Sequence, residues 1–124
     1  MRILLIEDDE AVAKLVREWF ASANHVVTHA ADGTAGMEAA LGGQFDVMIF
    51  DRQLPGGVDG ANLLRDLRGA KVDTPALILS GMGGLHAWMQ GLESGGDDYI
   101  EKPFSLSDLL GRVEALHERR RGGA

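Results

Sequence analysis

The sequence contains no cysteine among its 124 residues. This absence excludes disulfide bonds, thiolate zinc sites and cysteine nucleophiles. Histidine is scarce as well, and its four copies, at positions 25, 29, 86 and 117, show no spacing typical of a metal site. We therefore expect packed or solvated roles for the histidines.

Long hydrophobic runs are also missing. No apolar stretch approaches the roughly 20 residues that a membrane-spanning helix needs. The first residues do not form a signal peptide either, because acidic side chains occupy positions 7 to 10. These absences predict a cytoplasmic protein without a membrane partner.

Basic residues are outnumbered by acidic ones. The chain has 12 lysines and arginines against 19 aspartates and glutamates, which gives a formal net charge of −7. Nucleic-acid binding depends on the neutralisation of phosphates, so this charge argues against DNA binding by the chain itself. The one basic cluster, residues 119–121, is expected in the last turn of a helix, where cations suit the helix dipole.

Short apolar segments alternate with amphipathic ones along the chain. The apolar segments predict strands over residues 3–6, 25–30, 47–50, 76–79 and 97–101. Apolar residues at helical spacing predict helices over residues 12–20, 33–41, 63–67, 85–92 and 106–116. The stripe of the first helix includes Trp19, which we expect in the core. Polar residues are expected to start the first, third and last helices: Asp9, either Asp59 or Asn62, and Ser105.

This alternation predicts the fold. Strands and helices joined by short links imply a parallel sheet with helices on both faces and right-handed crossovers. Five such repeats fill the 124 residues, which is the size of one domain. The predicted fold class is α/β, a single flavodoxin-like, doubly wound (βα)5 domain with a five-stranded parallel sheet of order 2-1-3-4-5.

The stretch of residues 45–55 is central to the functional interpretation. Its apolar run, residues 47–50, ends at the carboxylate of Asp51, and a loop with Pro55 and several glycines follows. Open α/β sheets bind their ligands at the carboxyl ends of the strands. The polar residues at the predicted strand ends are Glu7, Asp8, Asp51, Ser80 and Lys102.

Three of these five side chains are carboxylates, which repel one another when they lie close together. A hard divalent cation with oxygen ligands relieves that repulsion, and Mg²⁺ suits a site that also binds phosphoryl oxygens. A hydroxyl and an ammonium group opposite the metal would bind the remaining phosphoryl oxygens. The pattern therefore indicates phosphoryl transfer onto a carboxylate, with Mg²⁺ as the cofactor.

Four motifs together resemble a response-regulator receiver domain of a two-component system. They are Glu7-Asp8 after the first strand, Asp51 in an Asp-x-x-Leu-Pro-Gly setting, Ser80 after the fourth strand, and Asp97-Asp98-Tyr99-x-x-Lys102-Pro103-Phe104. The resemblance covers nearly the whole chain. The run over residues 95–99 and the ending over residues 109–116 are most similar to the receivers of winged-helix (OmpR/PhoB-type) transcription factors.

The resemblance implies a role for each site residue. Asp51 would accept a phosphoryl group from a phosphohistidine on a sensor histidine kinase. Asp8, Asp51 and the backbone carbonyl of Gln53 would bind Mg²⁺ directly, and Glu7 would act through water. Lys102 would pair with the phosphoryl group, and Pro103 would follow a cis peptide.

The resemblance also implies a switch. Ser80 would move inward to bond to the phosphoryl group, and Tyr99 would rotate into the space that Ser80 leaves. The surface of helix four, strand five and helix five would then change, form a homodimer and control an output, expected to be transcription. The chain is not expected to be an ordinary enzyme, although it would hydrolyse its own aspartyl phosphate slowly, with Gln53 and Met82 placed to tune water access.

The sequence departs from the family pattern at three places. The loop over residues 55–60 is one residue longer than usual, which is expected to alter how the metal-binding carbonyl or the kinase is positioned. Gly81 follows Ser80 where the family usually has alanine, so a mobile entry into helix four is expected. No lysine or arginine occurs between Ser80 and Lys102. Asp98, Asp108 and Arg112 match the family's charged dimer surface. The absence of basic residues between Ser80 and Lys102 nevertheless favours an apolar dimer contact through Leu85 and Trp88.

Residues 1–121 are predicted to form the receiver domain, and residues 122–124 a tail or the start of a linker. The chain is expected to be either an excised domain or a stand-alone receiver, and DNA would be bound only through a C-terminal effector domain outside it.

Other functions fit the same fold. A haloacid-dehalogenase-like phosphatase would need a second aspartate where Gln53 stands. A flavin-binding module would need a phosphate loop where the acidic residues follow strand one. A phosphorylation-independent interaction module usually lacks the acceptor, the acidic pair or the lysine, and all of these are present.

Overall fold

The computed structural model describes residues 1–81 and 85–122, with side chains for residues 1–81 and 89–120. Five principal strands alternate with five helices. The strands are β1 (Arg2–Ile6), β2 (Val26–Ala30), β3 (Val47–Asp51), β4 (Ala76–Ser80) and β5 (Asp98–Glu101). The helices are α1 (Glu10–Ser22), α2 (Gly33–Gly42), α3 (Gly60–Gly69), α4 (Leu85–Glu93) and α5 (Leu106–Gly122). Each strand lies within one residue of the bounds expected from the sequence.

The five strands form one parallel sheet in the order β2-β1-β3-β4-β5. This confirms the predicted fold class and strand order. All residues of β3 and β4 are buried, as expected for strands covered on both faces. The register sets Ile6 opposite Phe50, Asp51 opposite Leu79, and Ser80 opposite Glu101, so these strands end at the same edge of the sheet.

One face of the sheet packs against α2, α3 and α4, and the other packs against α1 and α5. Alternate strand residues point to opposite faces, and Ile6, Phe50 and Ile78 pack with residues of α2 and α3. On the other face, Leu5, Ile49 and Leu79 pack with residues of α1 and α5. The two apolar layers hold the sheet in place and so position the polar residues at its carboxyl edge.

The helix starts follow the predicted capping chemistry. The Asp9 carboxylate accepts hydrogen bonds from the backbone N–H groups of Ala11 and Val12, at 3.0 and 3.2 Å. Asp59, and not Asn62, starts α3, because its carboxylate accepts from the Ala61 N–H at 2.9 Å. These side chains satisfy backbone donors that have no partner within the helix.

The expectation that Trp19 lies in the core is wrong. Trp19 is 44% exposed, whereas α1 buries Ala13, Val16 and Phe20. The small side chain of Ala13 lets α1 lie close to the sheet. The buried face of α1 is therefore centred on Ala13, and Trp19 lies at the edge of the apolar stripe. Leu15 is 53% exposed for the same reason.

None of the helices in the described part of the chain combines the length and the apolar character that crossing a lipid bilayer requires.

Candidate functional site

Three carboxylates meet at the carboxyl edge of the sheet. Glu7 directly follows β1, Asp8 comes next, and Asp51 is the last residue of the neighbouring strand β3. One carboxylate oxygen from each lies within 4.8 Å of the others. Glu7 and Asp51 are almost fully buried and Asp8 is exposed, so the cluster opens to solvent on one side. A set of only oxygen donors suits a hard cation such as Mg²⁺.

Lys102 bridges the two buried carboxylates. Its Nζ lies 3.0 Å from Asp51 Oδ2 and 3.1 Å from Glu7 Oε2. The Lys102 N–H donates to the Ser80 carbonyl at 2.8 Å, which anchors the residue at the end of the sheet, and the Lys102–Pro103 peptide is cis as expected. Burial opposes the ammonium charge, but the hydrogen bond to Asp51 and the charges of both carboxylates outweigh it and raise the pKa of Lys102.

The pKa of the Glu7 carboxyl group is raised by its surroundings. Burial, together with the neighbouring Asp51 carboxylate, raises the pKa of Glu7 from 4.5 to about 7, although Lys102 acts in the opposite direction. The protein without a bound cation therefore tends to hold a proton here near neutral pH. A divalent cation would remove the need for that proton.

Asp51 is held from two sides. Its Oδ1 accepts from the Gln53 N–H at 3.0 Å, and its Oδ2 accepts from Lys102. The backbone of Asp51 is equally constrained, since a Cβ on Gly60 would collide with the Asp51 carbonyl oxygen. Only glycine allows this close approach of two backbone segments. The carboxylate is consequently presented in a defined orientation.

Ser80 and Tyr99 lie on the same side of the site. Ser80 is the last residue of β4 and fully buried, and Tyr99 in β5 is 3% exposed and lies opposite Ile78. The Tyr99 ring packs closely against α4, because a Cβ on Gly91 would lie 3.1 Å from Tyr99 Cδ2. Tyr99 is thus in an inward position in this structure.

The loop after Asp51 forms a small hairpin. Gln53 and Leu54 pair antiparallel with Asp59 and Val58, and Pro55–Gly57 forms a single 3-10 turn between them. Gly56 and Gly57 both have a positive φ, of 76° and 73°, which glycine adopts without strain. The hairpin therefore accommodates the extra residue that the sequence comparison with the family pattern indicates.

Sequence reasoning missed Arg52, which lies next to Asp51 and is only 7% exposed. Its guanidinium group forms two hydrogen bonds with the Asp59 carboxylate, at 3.1 and 2.7 Å. This bond to Asp59 raises the pKa of Arg52, and the same bond lowers the pKa of Asp59 despite partial burial. No local signal identifies the pair, because its partners are seven residues apart and meet only when the hairpin forms.

The sequence predicts only a packed or solvated role for His29, whereas the structure places its ring against the backbone of the site. Its Nε2 donates to the Glu7 carbonyl oxygen at 2.6 Å, which helps to fix the turn that carries Glu7 and Asp8. His86 lies outside the described side chains.

The charged residues expected at a dimer surface pair within the chain. Arg112 on α5 forms ion pairs with Asp98 at 3.1 Å and with Asp108 at 3.2 Å. The expected apolar contact through Leu85 and Trp88 lies outside the described side chains. Met82, expected to tune water access, lies outside the described residues.

The chain is similar to known signalling proteins. The family model for the response regulator receiver domain matches residues 3–114. The cell cycle response regulators CtrA of Brucella ovis and Brucella abortus are 40% identical over 124 residues, which cover 100% of this chain and 53% of theirs. The chain therefore spans about half the length of the curated relatives it matches.

Two solved structures extend the comparison. The receiver domain of the Francisella response regulator 1452 has a TM-score of 0.92 and 34% identity, and the match covers 96% of this chain and 98% of that one. DrrB, a Thermotoga maritima OmpR/PhoB homolog, has a TM-score of 0.86 and 27% identity, and the match covers 96% of this chain and 53% of that one.

Proposed function

The chain belongs to the response regulator receiver domain family, and from this premise we propose that Asp51 is the residue that accepts the phosphoryl group. The observation that carries the proposal is the meeting of Glu7, Asp8 and Asp51 at one edge of the sheet, where the Lys102 ammonium group pairs with Glu7 and Asp51. Asp51 is the last residue of the buried strand β3, and its carboxylate is held both by the Gln53 N–H and by the lysine.

The donor set fits Mg²⁺. Asp8 and Asp51 would hold the ion together with the Gln53 carbonyl, and Glu7 would act through water. When bound, the ion would supply positive charge opposite the carboxylate and phosphoryl oxygens and so reduce their repulsion. The raised pKa of Glu7 supports this assignment, because a carboxyl group that keeps a proton near neutral pH is one whose negative charge lacks sufficient compensation.

The transfer step follows from the orientation of Asp51. One of its carboxylate oxygens forms a bond to phosphorus while the P–N bond of a phosphohistidine breaks and the imidazole leaves with the electron pair. The Lys102 ammonium group, already 3.0 Å from Asp51 Oδ2, would then pair with an oxygen of the transferred group. Slow hydrolysis of the aspartyl phosphate would reverse the state.

The buried pair of Ser80 and Tyr99 would transmit the change. The Ser80 hydroxyl at the end of β4 would donate a hydrogen bond to a phosphoryl oxygen on Asp51 once the backbone after β4 moves inward. Tyr99 is already inward in this structure, so we expect phosphorylation to stabilise an arrangement that the unmodified protein also populates. The surface formed by α4, β5 and α5 would report the change.

A sensor histidine kinase is the proposed donor. An apolar groove of about 430 Å³ runs beside the site and is lined by Val12, Leu15, Lys102, Pro103, Phe104 and Leu106. The exposed side chain of Leu15 lies there without burial in the core. We expect Leu15→Glu to slow transfer from a phosphorylated kinase and to leave labelling by a small phosphoryl donor unchanged.

The rest of the response regulator is proposed from its relatives. Residues 1–121 would form the receiver, and an output domain that binds DNA would follow it, since the chain covers 53% of the CtrA proteins. Transcriptional control through a homodimer is the proposed output. Dimer formation would require Arg112 to exchange its partners within the chain for partners in a second copy.

Intact mass spectrometry tests the proposal. The protein is incubated with acetyl phosphate, with Mg²⁺ or with a chelator, beside the Asp51→Asn variant. We expect one phosphoryl adduct that requires both Mg²⁺ and Asp51. An adduct that persists in Asp51→Asn would assign the acceptor to another residue, and the absence of any adduct would leave a receiver fold without acceptor activity.

A further inference from the structure

Arg52 and Asp59 connect the two ends of the loop that follows the acceptor. The Arg52 side chain is 7% exposed, and its Nε and Nη2 contact the two oxygens of Asp59 at 3.1 and 2.7 Å. Such a two-pronged contact fixes the relative orientation of both side chains as well as their distance. Asp59 Oδ1 also accepts from the Ala61 N–H, so the same carboxylate joins the loop to the start of α3.

The hairpin determines where the Gln53 peptide points. The Gly60 N–H donates to the Arg52 carbonyl at 3.0 Å. Because the two kinds of antiparallel pair alternate along the strands, the next pair, Gln53–Asp59, is a non-hydrogen-bonded pair. In such a pair the N–H and C=O of each residue point away from the other strand. The Gln53 N–H accordingly donates to Asp51 Oδ1. By the same pairing geometry, we infer that the Gln53 C=O also points away from the partner strand.

The turn of this hairpin has little stiffness of its own. Gly56 and Gly57 have open space around them and a backbone conformation that suits glycine, and the turn residues are exposed. Glycine loses more conformational freedom on ordering than other residues do. A longer loop with two glycines therefore needs a fixed closure at its base if the Gln53 peptide is to keep one position.

We propose that Arg52 is a positioning residue: its ion pair with Asp59 closes the extended loop and holds the Gln53 peptide at the acceptor and metal site. The closure compensates for the additional residue of this chain. The inference rests on the proposed function, because the Gln53 carbonyl matters only if the site binds a cation. The two hydrogen bonds that the argument uses join Arg52 to Asp59 and to none of the reacting atoms.

Three variants separate the ion pair from general effects of substitution. Arg52→Met removes the charge and keeps a long side chain in the buried position. Asp59→Asn weakens the pair and retains a residue that starts helices well. Arg65→Met is the matched control, because Arg65 lines the same polar cavity as Arg52 but contacts Ser94 at 3.4 Å.

The first measurement is the Mg²⁺ affinity by isothermal titration calorimetry with Mg²⁺ alone. The second is the rate at which the Gln53 and Gly60 amide protons exchange with solvent. We expect Arg52→Met and Asp59→Asn each to weaken Mg²⁺ binding by about tenfold, as substitutions that disturb the support of a metal ligand do. The double variant should bind no more weakly than either single one, and the control should bind as the wild type. Both amides should exchange faster in the two loop variants.

A third measurement, phosphoryl labelling at high Mg²⁺ concentration, distinguishes a positioning role of Arg52 from a direct role in phosphoryl transfer. At Mg²⁺ concentrations far above the weakened dissociation constant, Arg52→Met should be labelled at Asp51 to the wild-type extent. Unchanged Mg²⁺ affinity in Arg52→Met, with only a lower melting temperature, would overturn the inference and leave Arg52 a structural residue. A wild-type protein that binds Mg²⁺ but is not labelled would contradict the proposed acceptor function alone, whereas no Mg²⁺ binding by the wild type would overturn both.

Discussion

Glu7 and Asp51 share a single lysine in the protein without bound cation. Lys102 lies within 3.1 Å of both carboxylates, but one ammonium group does not neutralise two buried negative charges. The pKa of Glu7, raised to about 7, expresses this imbalance. A cation at the site would change the balance, so proton and Mg²⁺ binding should compete at Glu7.

This competition predicts how stability depends on pH. The Glu7 carboxyl releases its proton near pH 4.5 in the unfolded chain and near pH 7 in the folded protein. The contribution of Glu7 therefore lowers the free energy of unfolding as the pH rises from about 4.5 to about 7, and it is constant above that window. Mg²⁺ should stabilise the protein more at pH 8 than at pH 6.

Denaturant unfolding at several pH values, with chelator or with Mg²⁺, measures this effect. Glu7→Gln carries no titrating group at this position and should flatten the pH dependence between about 4.5 and 7. The same slope in wild type and Glu7→Gln would assign the titration to a different group.

Lys102 is expected to have a larger role in signalling than in labelling. Its charge lowers the pKa of Glu7, so Lys102→Ala should raise that pKa further. Mg²⁺ at a saturating concentration should still permit labelling of Asp51, whereas the switch at Tyr99 should no longer follow it. Phosphoryl incorporation by mass and the NMR signals of the Tyr99 ring measure the two effects separately. A variant that is labelled and switches normally would remove Lys102 from the signalling path.

Helix α4 contacts the proposed switch at Gly91. Gly91 permits that contact, since a Cβ there would lie 3.1 Å from Tyr99 Cδ2 and 3.2 Å from Ile78 Cδ1. Gly111 in α5 provides a comparison, because a Cβ at that exposed position meets nothing within 4 Å. The two glycines occupy helices, and they differ in what surrounds them.

Alanine substitutions at these positions should have different effects. Gly111→Ala should increase the free energy of unfolding by about 1 kcal/mol through helix propensity alone. Gly91→Ala should gain less or lose stability, because its methyl group presses on Tyr99 and Ile78 in a closely packed interior. Denaturant unfolding compares them, and equal stabilisation by both would show that α4 moves away from Tyr99 at little cost.

For the molecule as a whole, the charged residues of α5 and β5 bear on assembly. Arg112 pairs with Asp98 and Asp108 within one chain, and such exposed pairs are worth only about 0–1 kcal/mol. Exchange of these partners for those of a second copy would therefore cost little. The phosphorylated protein should form a dimer through α4, β5 and α5.

Sedimentation velocity with and without phosphoryl donor measures this assembly. Arg112→Ala should weaken the phosphorylation-dependent dimer several-fold, and Asp51→Asn should stay monomeric under both conditions. A dimer that Arg112→Ala leaves unchanged would favour the apolar contact through Leu85 and Trp88 that the sequence suggests.

Much of this architecture is determined locally. Short apolar runs such as residues 47–50 are too short for helices and predict strands covered on both faces. Their alternation with amphipathic helices permits few parallel arrangements. Because parallel strands end at one edge, the placement of Glu7, Asp51 and Lys102 after their strands was enough to predict their meeting. Helix starts such as Asp9 are local for the same reason, since a capping side chain bonds to the backbone two or three residues away.

Other features were decided only when distant segments packed together. Whether Trp19 or Ala13 faces the sheet depends on how closely α1 approaches it. The apolar pattern of α1 is compatible with either residue in the core. The Arg52–Asp59 pair exists because a hairpin brings the two side chains together across a turn, and the pKa of Glu7 depends on burial and on Asp51, 44 positions away in the chain. Hydrophobic periodicity reports the neighbours of a residue along the chain, whereas exposure, ion pairing and charge regulation depend on neighbours across the fold.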